Sequence, residues 1–329
     1  MLPMFGMIVL GLLGYAGCEP ESPIVNGLTK VAPIAPTTLV STNTQSKSIP
    51  AKAKETILIA SFNIQVFGES KVKDRWVMER LAEVIRQFDI VAIQEVRSKD
   101  QTILSSLVNF VNALGGRYDY LIGPRLGRTD SKEQYAYVYD ASRIITGKDC
   151  SYTLNDDIDL LHREPLIARF VARTTLTNRP WSFSMVNLHT DPDEATAEVN
   201  AMGSIMREIR NYEFMAGQED DVILLGDFNA PPAKMASLQT QAGMRPLIVN
   251  QPTNVRETEL YDNILIEPMA NVEFTGRAGV MSLREFLGIS VNDALKLSDH
   301  NPVWAEFWVE ERSSYSQPQM AGQPFTGSR

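Results

Sequence analysis

The feature that most restricts this chain is a repeated exchange between two hydrophobic periods. Segments that read as strands recur at 57–62 (ILIASF) and 90–96 (IVAIQEV), both compact and apolar, at 134–140 (QYAYVYD), which alternates, and at 165–172 (PLIARFVA), 181–189 (WSFSMVNLH), 222–228 (VILLGDF), 261–266 (YDNILI) and 302–309 (PVWAEFWV). Between them lie segments whose apolar residues repeat at helical spacing. Trp76, Leu81, Val84, Ile85 and Phe88 form one such set, Ile103, Leu104, Leu107, Val108, Val111 and Leu114 a second, and a long helix is predicted near 194–215. A strand pattern cannot sit still as a helix, nor the reverse, so the alternation demands a layered α/β body with helices packed on sheets. With 44% hydrophobic residues in 329, the chain has ample material for such a core.

The flanks lack this pattern. Residues 1–18, MLPMFGMIVLGLLGYAGC, form an apolar run too short to span a bilayer comfortably and read as a signal peptide. The ending Ala16-Gly17-Cys18 resembles a bacterial lipoprotein cleavage box, so the expected product is exported, either secreted or tethered to a membrane through a lipidated Cys18. No Lys or Arg precedes the apolar run, and Tyr15 stands where such boxes carry Leu. Residues 19–54 have the Pro, Ser and Thr content of a linker, 311–329 that of a polar tail, and the folded body is placed at 55–310.

Polar residues cluster where the apolar runs end: Asn63, Glu95, Asn187 and His189, then Asp227 and Asn229, with Asp299 and His300 just before the last strand. A polar residue at a strand end often just enters a turn, and Asp299 could be a cap. Repetition favours a site, because α/β proteins build sites at strand ends. Carboxylate and amide oxygens suit a hard cation such as magnesium, which polarises a phosphate oxygen, and an imidazole oriented by a carboxylate can move the protons that phosphodiester hydrolysis requires. The chain has only three histidines; His189 and His300 fit that role, whereas His162 in LLHREP reads as a surface or packing residue. The two cysteines, Cys18 and Cys150, are too few and too far apart for a zinc cluster or thiol mechanism. The net charge of −9 argues against a broad electrostatic DNA coat, so any nucleic acid must be met by a local patch.

SFNIQVFGE (61–69), FDIVAIQEVR (88–97), GRTDSKEQYAYVY (127–139), REPLIARF (163–170), NLHTDPDEATAEVN (187–200), LLGDFNA (224–230), YDNIL (261–265) and SDHNPVW (298–304) resemble, in order, the successive motifs of DNase I-like nucleases of the endonuclease/exonuclease/phosphatase superfamily. The resemblance covers about 57–308 and implies a four-layer α/β/β/α sandwich. It also implies a DNA endonuclease with little sequence preference that leaves 5′-phosphate ends; the alternative is another phosphodiesterase or phosphatase of the superfamily, acting on a lipid head group or nucleotide.

Position by position, the resemblance makes Asn63, Glu95, Asp227 and Asp299 the metal site, with Glu95 the primary ligand of magnesium, replaceable by manganese and with calcium as a further candidate. Asn229 would line the phosphate site with them. It makes His189 and His300 the acid/base pair, with Glu133 orienting His189 and Asp262 orienting His300. Arg163 would contact phosphate and Arg97 would enter the minor groove of DNA, the expected partner of a monomeric protein; both could instead be surface ion pairs. Ser131 stands where DNase I has a sugar-packing tyrosine, and one body cysteine cannot form the family's loop disulfides. The threonine that precedes YDNIL in the family aligns with either Thr253 or Thr258.

Overall fold

The computed structural model describes residues 44–46, 49–128, 132–217 and 219–312. The signal and lipidation expectations at 1–18 and the Ser131 departure lie outside these residues, as does most of the expected tail. Among the described residues there are fourteen strands. They are β1 (Thr44–Ser46), β2 (Thr56–Phe67), β3 (Ile90–Val96), β4 (Tyr118–Ile122), β5 (Gln134–Asp140), β6 (Ile144–Ile145), β7 (Ser151–Thr153), β8 (Leu166–Ala172), β9 (Ser182–His189), β10 (Val222–Asp227), β11 (Arg245–Pro246), β12 (Asp262–Ile266), β13 (Phe274–Val280) and β14 (Val303–Trp308). The helices are α1 (Glu69–Lys73), α2 (Arg75–Ile85), α3 (Ile103–Ala113), α4 (Ala195–Gly217), α5 (Ala236–Ala242), α6 (Leu283–Leu287) and α7 (Val291–Leu297).

The strands form two mixed sheets, ordered β1-β13-β14-β2-β3-β5-β4 and β11-β12-β10-β9-β8-β6, with β7 also paired to β8. Three separate apolar clusters show how the layers stack. One joins the inner faces of the sheets, bringing Ile57, Ile59, Ile90 and Phe307 against Phe170, Phe183, Ile223 and Ile264. A second packs α2, α3 and α7 on the outer face of the first sheet through Leu81, Ile85, Leu104, Leu107 and Leu297. The third packs α4 and α5 on the second sheet through Val199, Met202, Met206 and Leu238. Three interfaces define four layers, so the fold is the α/β/β/α sandwich.

Both faces of the central strands are covered, which is why β3 and β10 are apolar without alternation and buried along their whole length. Polar bridges cross the inter-sheet core, among them the Tyr137 hydroxyl of β5 to the carbonyls of Leu166 and Met185. Gln94 Nε2 donates to Asn187 Oδ1 at 2.6 Å, and Asn187 Nδ2 donates to the carbonyls of Ile93 and Ala136. Asn187 therefore fastens one sheet to the other instead of standing at a strand end.

The segment read as linker up to residue 54 contains ordered structure at its end. β1 pairs in parallel with Arg277–Gly279 of β13. Lys52 Nζ donates to the carbonyl of Phe88 at 2.7 Å and lies 3.2 Å from buried Asp89. Backbone pairing of a short polar segment leaves no hydrophobic period, so composition misplaces this boundary.

Candidate active site

Three adjacent strands of the second sheet bring their site residues into one row. In the register, Asp227 at the end of β10 pairs with His189 at the end of β9 on one side and with Asp262 at the start of β12 on the other. Gly226 permits this. Its φ is +151°, and a Cβ there would stand 1.8 Å from the Leu188 carbonyl oxygen, so only glycine lets β10 approach β9 this closely.

The first sheet contributes Asn63 and Glu95 through a shared irregularity. β2 slips register between Asn63 and Phe67, and β3 slips between Ile93 and Val96 against β5. Gln65, Val66 and Glu95 all have positive φ, at 33°, 52° and 62°. Left-handed backbone is costly for residues of these types, above all for β-branched Val66, and it persists where surrounding bonds fix it. Here the Val66 amide donates to Glu95 Oε2 at 2.8 Å, the Gln65 amide to Asn63 Oδ1 at 2.9 Å, and Lys71 Nζ donates to the carbonyls of Ile64, Gln65 and Leu297. Burial lowers the Lys71 ammonium to about 8, against the pull of Glu95 and Asp299. Asn63 thus lies within a strand that continues past it, not at its end.

Asn63 links the sheets across the site. Its Nδ2 donates to Glu95 Oε1 at 3.1 Å and to Asp227 Oδ2 at 3.0 Å. The amide nitrogen, and not the oxygen, faces the carboxylates, so Asn63 acts here as a spacer between two anions. Asp227 Oδ2 is also 3.6 Å from His189 Nε2 and 3.5 Å from His300 Nε2. Its other oxygen accepts the Asn229 amide at 2.9 Å, and Asn229, at φ 45°, donates its side-chain amide to the Thr190 carbonyl.

Each histidine has its own carboxylate. His189 Nδ1 meets Glu133 Oε1 at 2.7 Å, and His300 Nδ1 meets Asp262 Oδ2 at 2.9 Å. Burial opposes a charged imidazole, but Glu133 and Asp227 raise His189 above its ordinary value; Asp262, Asp227 and Asp299 raise His300 well above it. Glu133 is buried too, yet His189, Arg163 and Arg97 hold it at about 2. Despite complete burial, His300 and His189 keep Asp227 below the usual carboxylate range, whereas burial and the Asp227 anion push Asp262 up. His162 is elsewhere, 3.5 Å from Asp191.

Both arginines converge on Glu133. Arg163 Nε lies 2.7 Å from Oε1 and also donates to the His189 carbonyl, and Arg97 spans Glu133 Oε2 and Glu95 Oε2 at 3.2 Å each. Arg163 is buried, and its Nη2 has no hydrogen-bond partner. The Asp299 Oδ1 atom is likewise buried and unpartnered.

Several residues support the site in ways that the motifs alone do not specify. The Tyr135 hydroxyl accepts the His189 amide at 2.9 Å and donates to its carbonyl at 3.3 Å, fixing that residue at both ends. Ser298 Oγ donates to the Asn63 carbonyl and accepts the His300 amide. Thr253 is buried and accepts the amides of Tyr261 and Asp262, whereas Thr258 sits in an exposed turn bonded to Asn254; Thr253 is the threonine at the site.

The donor set fits a hard cation. Glu95, Asp227 and Asp299 offer carboxylate oxygens, although the three are not gathered within 4.8 Å of one another; Asp299 Oδ1 accepts no hydrogen bond and lies 3.7 Å from His300 Nε2, and among the described residues there is no free thiol. Atoms of Asp227, Asp262 and His300 lie within 4.8 Å of one another, but Asp262 Oδ2 and His300 Nδ1 are bonded to each other.

The family described as the endonuclease/exonuclease/phosphatase family matches residues 60–300, a span that includes every residue of this constellation. The chain belongs to the DNase I-like branch of that family. It is 32% identical over 268 residues to deoxyribonuclease-1 of Gallus gallus, covering 75% of this chain and 91% of that one. It is 31% identical over 270 residues to deoxyribonuclease-1-like 1 of Cricetulus griseus, covering 78% and 85%. Among solved structures, a functionally unknown conserved protein from Enterococcus faecalis V583 matches 78% of this chain and 100% of its own, with a TM-score of 0.53 at 18% identity. An endonuclease/exonuclease/phosphatase from Bacteroides vulgatus matches 78% and 99%, with a TM-score of 0.52 at 18% identity. These two likenesses concern the fold alone.

Proposed function

We propose that this DNase I-like protein is a divalent-metal-dependent DNA endonuclease that hydrolyses phosphodiester bonds with little sequence preference. The observation that carries this reading is the pair of carboxylate-oriented imidazoles, His189 on Glu133 and His300 on Asp262, both facing Asp227 Oδ2. The deoxyribonuclease relatives direct it towards DNA.

Magnesium held by Glu95 and Asp299, with Asp227 beside them, would polarise a phosphate oxygen and offset the charge that develops there. The protein does the rest. With Nδ1 engaged by its carboxylate, each imidazole is held in one tautomer and presents Nε2 to the reacting groups. His189 takes a proton from the attacking water as the new P–O bond forms. His300, the more strongly raised of the two, gives a proton to the departing O3′ as the old bond breaks, leaving a 5′-phosphate. Arg163 has an unspent donor at Nη2 for a phosphate oxygen, and Arg97, partly exposed, can release its ion pairs to meet the backbone. The partner contact is local, as net charge −9 requires.

The direct test is purified protein incubated with supercoiled plasmid, RNA, sphingomyelin and a small phosphate monoester, each with magnesium and with EDTA. Nicking and linearisation of plasmid in magnesium, abolished by EDTA, is expected. Hydrolysis of sphingomyelin or the monoester with intact plasmid would replace the endonuclease by another phosphoesterase of the superfamily.

A further inference from the structure

The pole of the sandwich opposite the catalytic groups carries a second cluster of carboxylates that the mechanism does not use. β10 runs from this pole, where Asp221 precedes it, to Asp227 at the other, a span of about 20 Å at strand rise. Glu273 immediately precedes β13, and Glu311 lies just beyond β14. The carboxylate oxygens of Asp221, Glu273 and Glu311 lie within 4.8 Å of one another, and Glu219 and Asp220 extend the group. Asp221 and Glu273 are almost completely buried, whereas Glu311 is half-buried and opens the cluster to solvent.

One atom makes this more than an acidic patch. Glu273 Oε2 is buried with no hydrogen-bond partner, while Oε1 accepts the Arg312 amide at 2.5 Å. A carboxylate oxygen without a donor is costly in the interior. The surroundings supply other donors but none to that atom: Asp221 Oδ1 accepts Asn271 Nδ2 at 2.6 Å, Asp221 Oδ2 accepts Trp181 Nε1 at 2.9 Å, and the Glu311 carboxylate accepts the Ser182 amide, which leaves further lone pairs on the cluster. Buried Glu213 and Glu306 have Arg169 and Arg277, but among the described residues no Lys or Arg forms an ion pair with Asp221, Glu273 or Glu311. Arg312 instead lies over the Trp308 ring, 4.2 Å from its centroid.

We propose that Asp221, Glu273 and Glu311 form a calcium site that clasps the two sheets at the pole opposite the active site. The oxygens are no farther apart than opposed ligands around calcium at about 2.4 Å, and calcium accepts irregular oxygen shells that magnesium resists. Asp221 belongs to the second sheet through β10, and Glu273 and Glu311 flank β13 and β14 of the first, so one ion joins both layers. The site is structural and leaves the chemistry at the other end untouched.

The competing way to neutralise the cluster is protons: burial and mutual repulsion push Asp221 up to about 9 and Glu311 up to about 7. Calcium and protons are separated by measurement on the full-length protein. Terbium serves as the calcium probe, because Trp181 touches Asp221 and would sensitise its emission. Excitation of tryptophan is expected to give terbium emission that calcium displaces, and calcium at about 100 times its Kd is expected to raise Tm by about 5 °C. Glu273→Gln is expected to weaken both responses at least ten-fold in calcium midpoint; Glu311→Gln, at a half-buried position that tolerates change, does the same with plasmid cleavage retained. Glu95→Gln, at the other pole, is expected to leave the displaceable emission in place. Emission and Tm that ignore calcium, with Tm rising only as pH falls, would overturn the site in favour of shared protons; so would a Glu311→Gln protein that responds like the wild type.

Discussion

His189 and His300 face each other across a single carboxylate oxygen, Asp227 Oδ2, at 3.6 and 3.5 Å from their respective Nε2 atoms. They reach it from different places: His189 ends β9 of the second sheet, and His300 lies in the turn before β14 of the first. Both other nitrogens are committed to carboxylates. If these imidazoles move the protons, His189→Ala and His300→Ala should each lower plasmid cleavage by about 10²–10⁴-fold with the fold retained. His162→Ala, removing an imidazole that touches Asp191, should leave the rate within a few-fold of wild type. Cleavage rates of the three proteins, with circular dichroism as a check on folding, decide this. Comparable loss at His162 would contradict the assignment.

Asp262→Asn tests orientation and charge together. Asp262 fixes His300 Nδ1 and is a principal cause of its raised pKa. His300 acts protonated in this account, so activity falls as pH rises through its pKa. Removing the anion lowers that pKa, and the alkaline limb of the rate profile should move to lower pH by about one unit or more, with a loss of rate on the order of 10²-fold or greater. An alkaline limb that stays in place would assign it to another group.

Glu133→Gln should be destabilising in a pH-dependent way. Glu133 is held at about 2 in the folded protein, below its ordinary value of 4.5, so its contribution is full above 4.5 and is lost as pH falls towards 2. The substitution also leaves Arg163 buried without its carboxylate. A loss on the order of 3 kcal/mol near neutral pH is expected, shrinking as wild type and variant are compared at progressively lower pH between about 4.5 and 2. Urea unfolding across that range measures it, and a constant difference would remove Glu133 from the acid response.

The arginines should separate binding from chemistry. Arg97→Ala should raise KM for plasmid, and Arg163→Ala should raise KM and lower kcat, because the proposed mechanism gives the reacting phosphate to Arg163 Nη2, which has no hydrogen-bond partner within the protein. The dependence of cleavage on monovalent salt should be shallow, as expected of few phosphate contacts on a protein of net charge −9. A steep slope would reveal an extended basic face.

Much of this molecule was legible before its structure. The runs at 90–96 and 134–140 coincide with β3 and β5, because strands covered on both faces are buried along nearly their whole length and are therefore rich in apolar residues. β13 escaped because Phe274–Val280, FTGRAGV, breaks its apolar run with two glycines and an arginine, and β4 because Tyr118–Ile122 is exposed at Asp119 and sits at a sheet edge. The site residues could be named from motifs, but their mutual roles could not. That Asn63 turns its amide nitrogen to two carboxylates, that both arginines meet at Glu133, and that Tyr135, Ser298 and Lys71 hold the backbone of the site are facts of distance between residues far apart in sequence. The need for glycine at 226 becomes clear only once β9 lies beside β10.

The central claim, a cation held by carboxylates beside a histidine pair that hydrolyses DNA, is tested most directly by titrating magnesium against plasmid cleavage for the wild type and Glu95→Gln. A neutral amide is a poorer ligand for a hard cation than a carboxylate. The wild type should be inactive in EDTA and saturate with magnesium, and Glu95→Gln should need at least ten-fold more magnesium to reach half of its own maximal rate. Cleavage by the wild type that persists in EDTA, or an unchanged magnesium midpoint in Glu95→Gln, would contradict it.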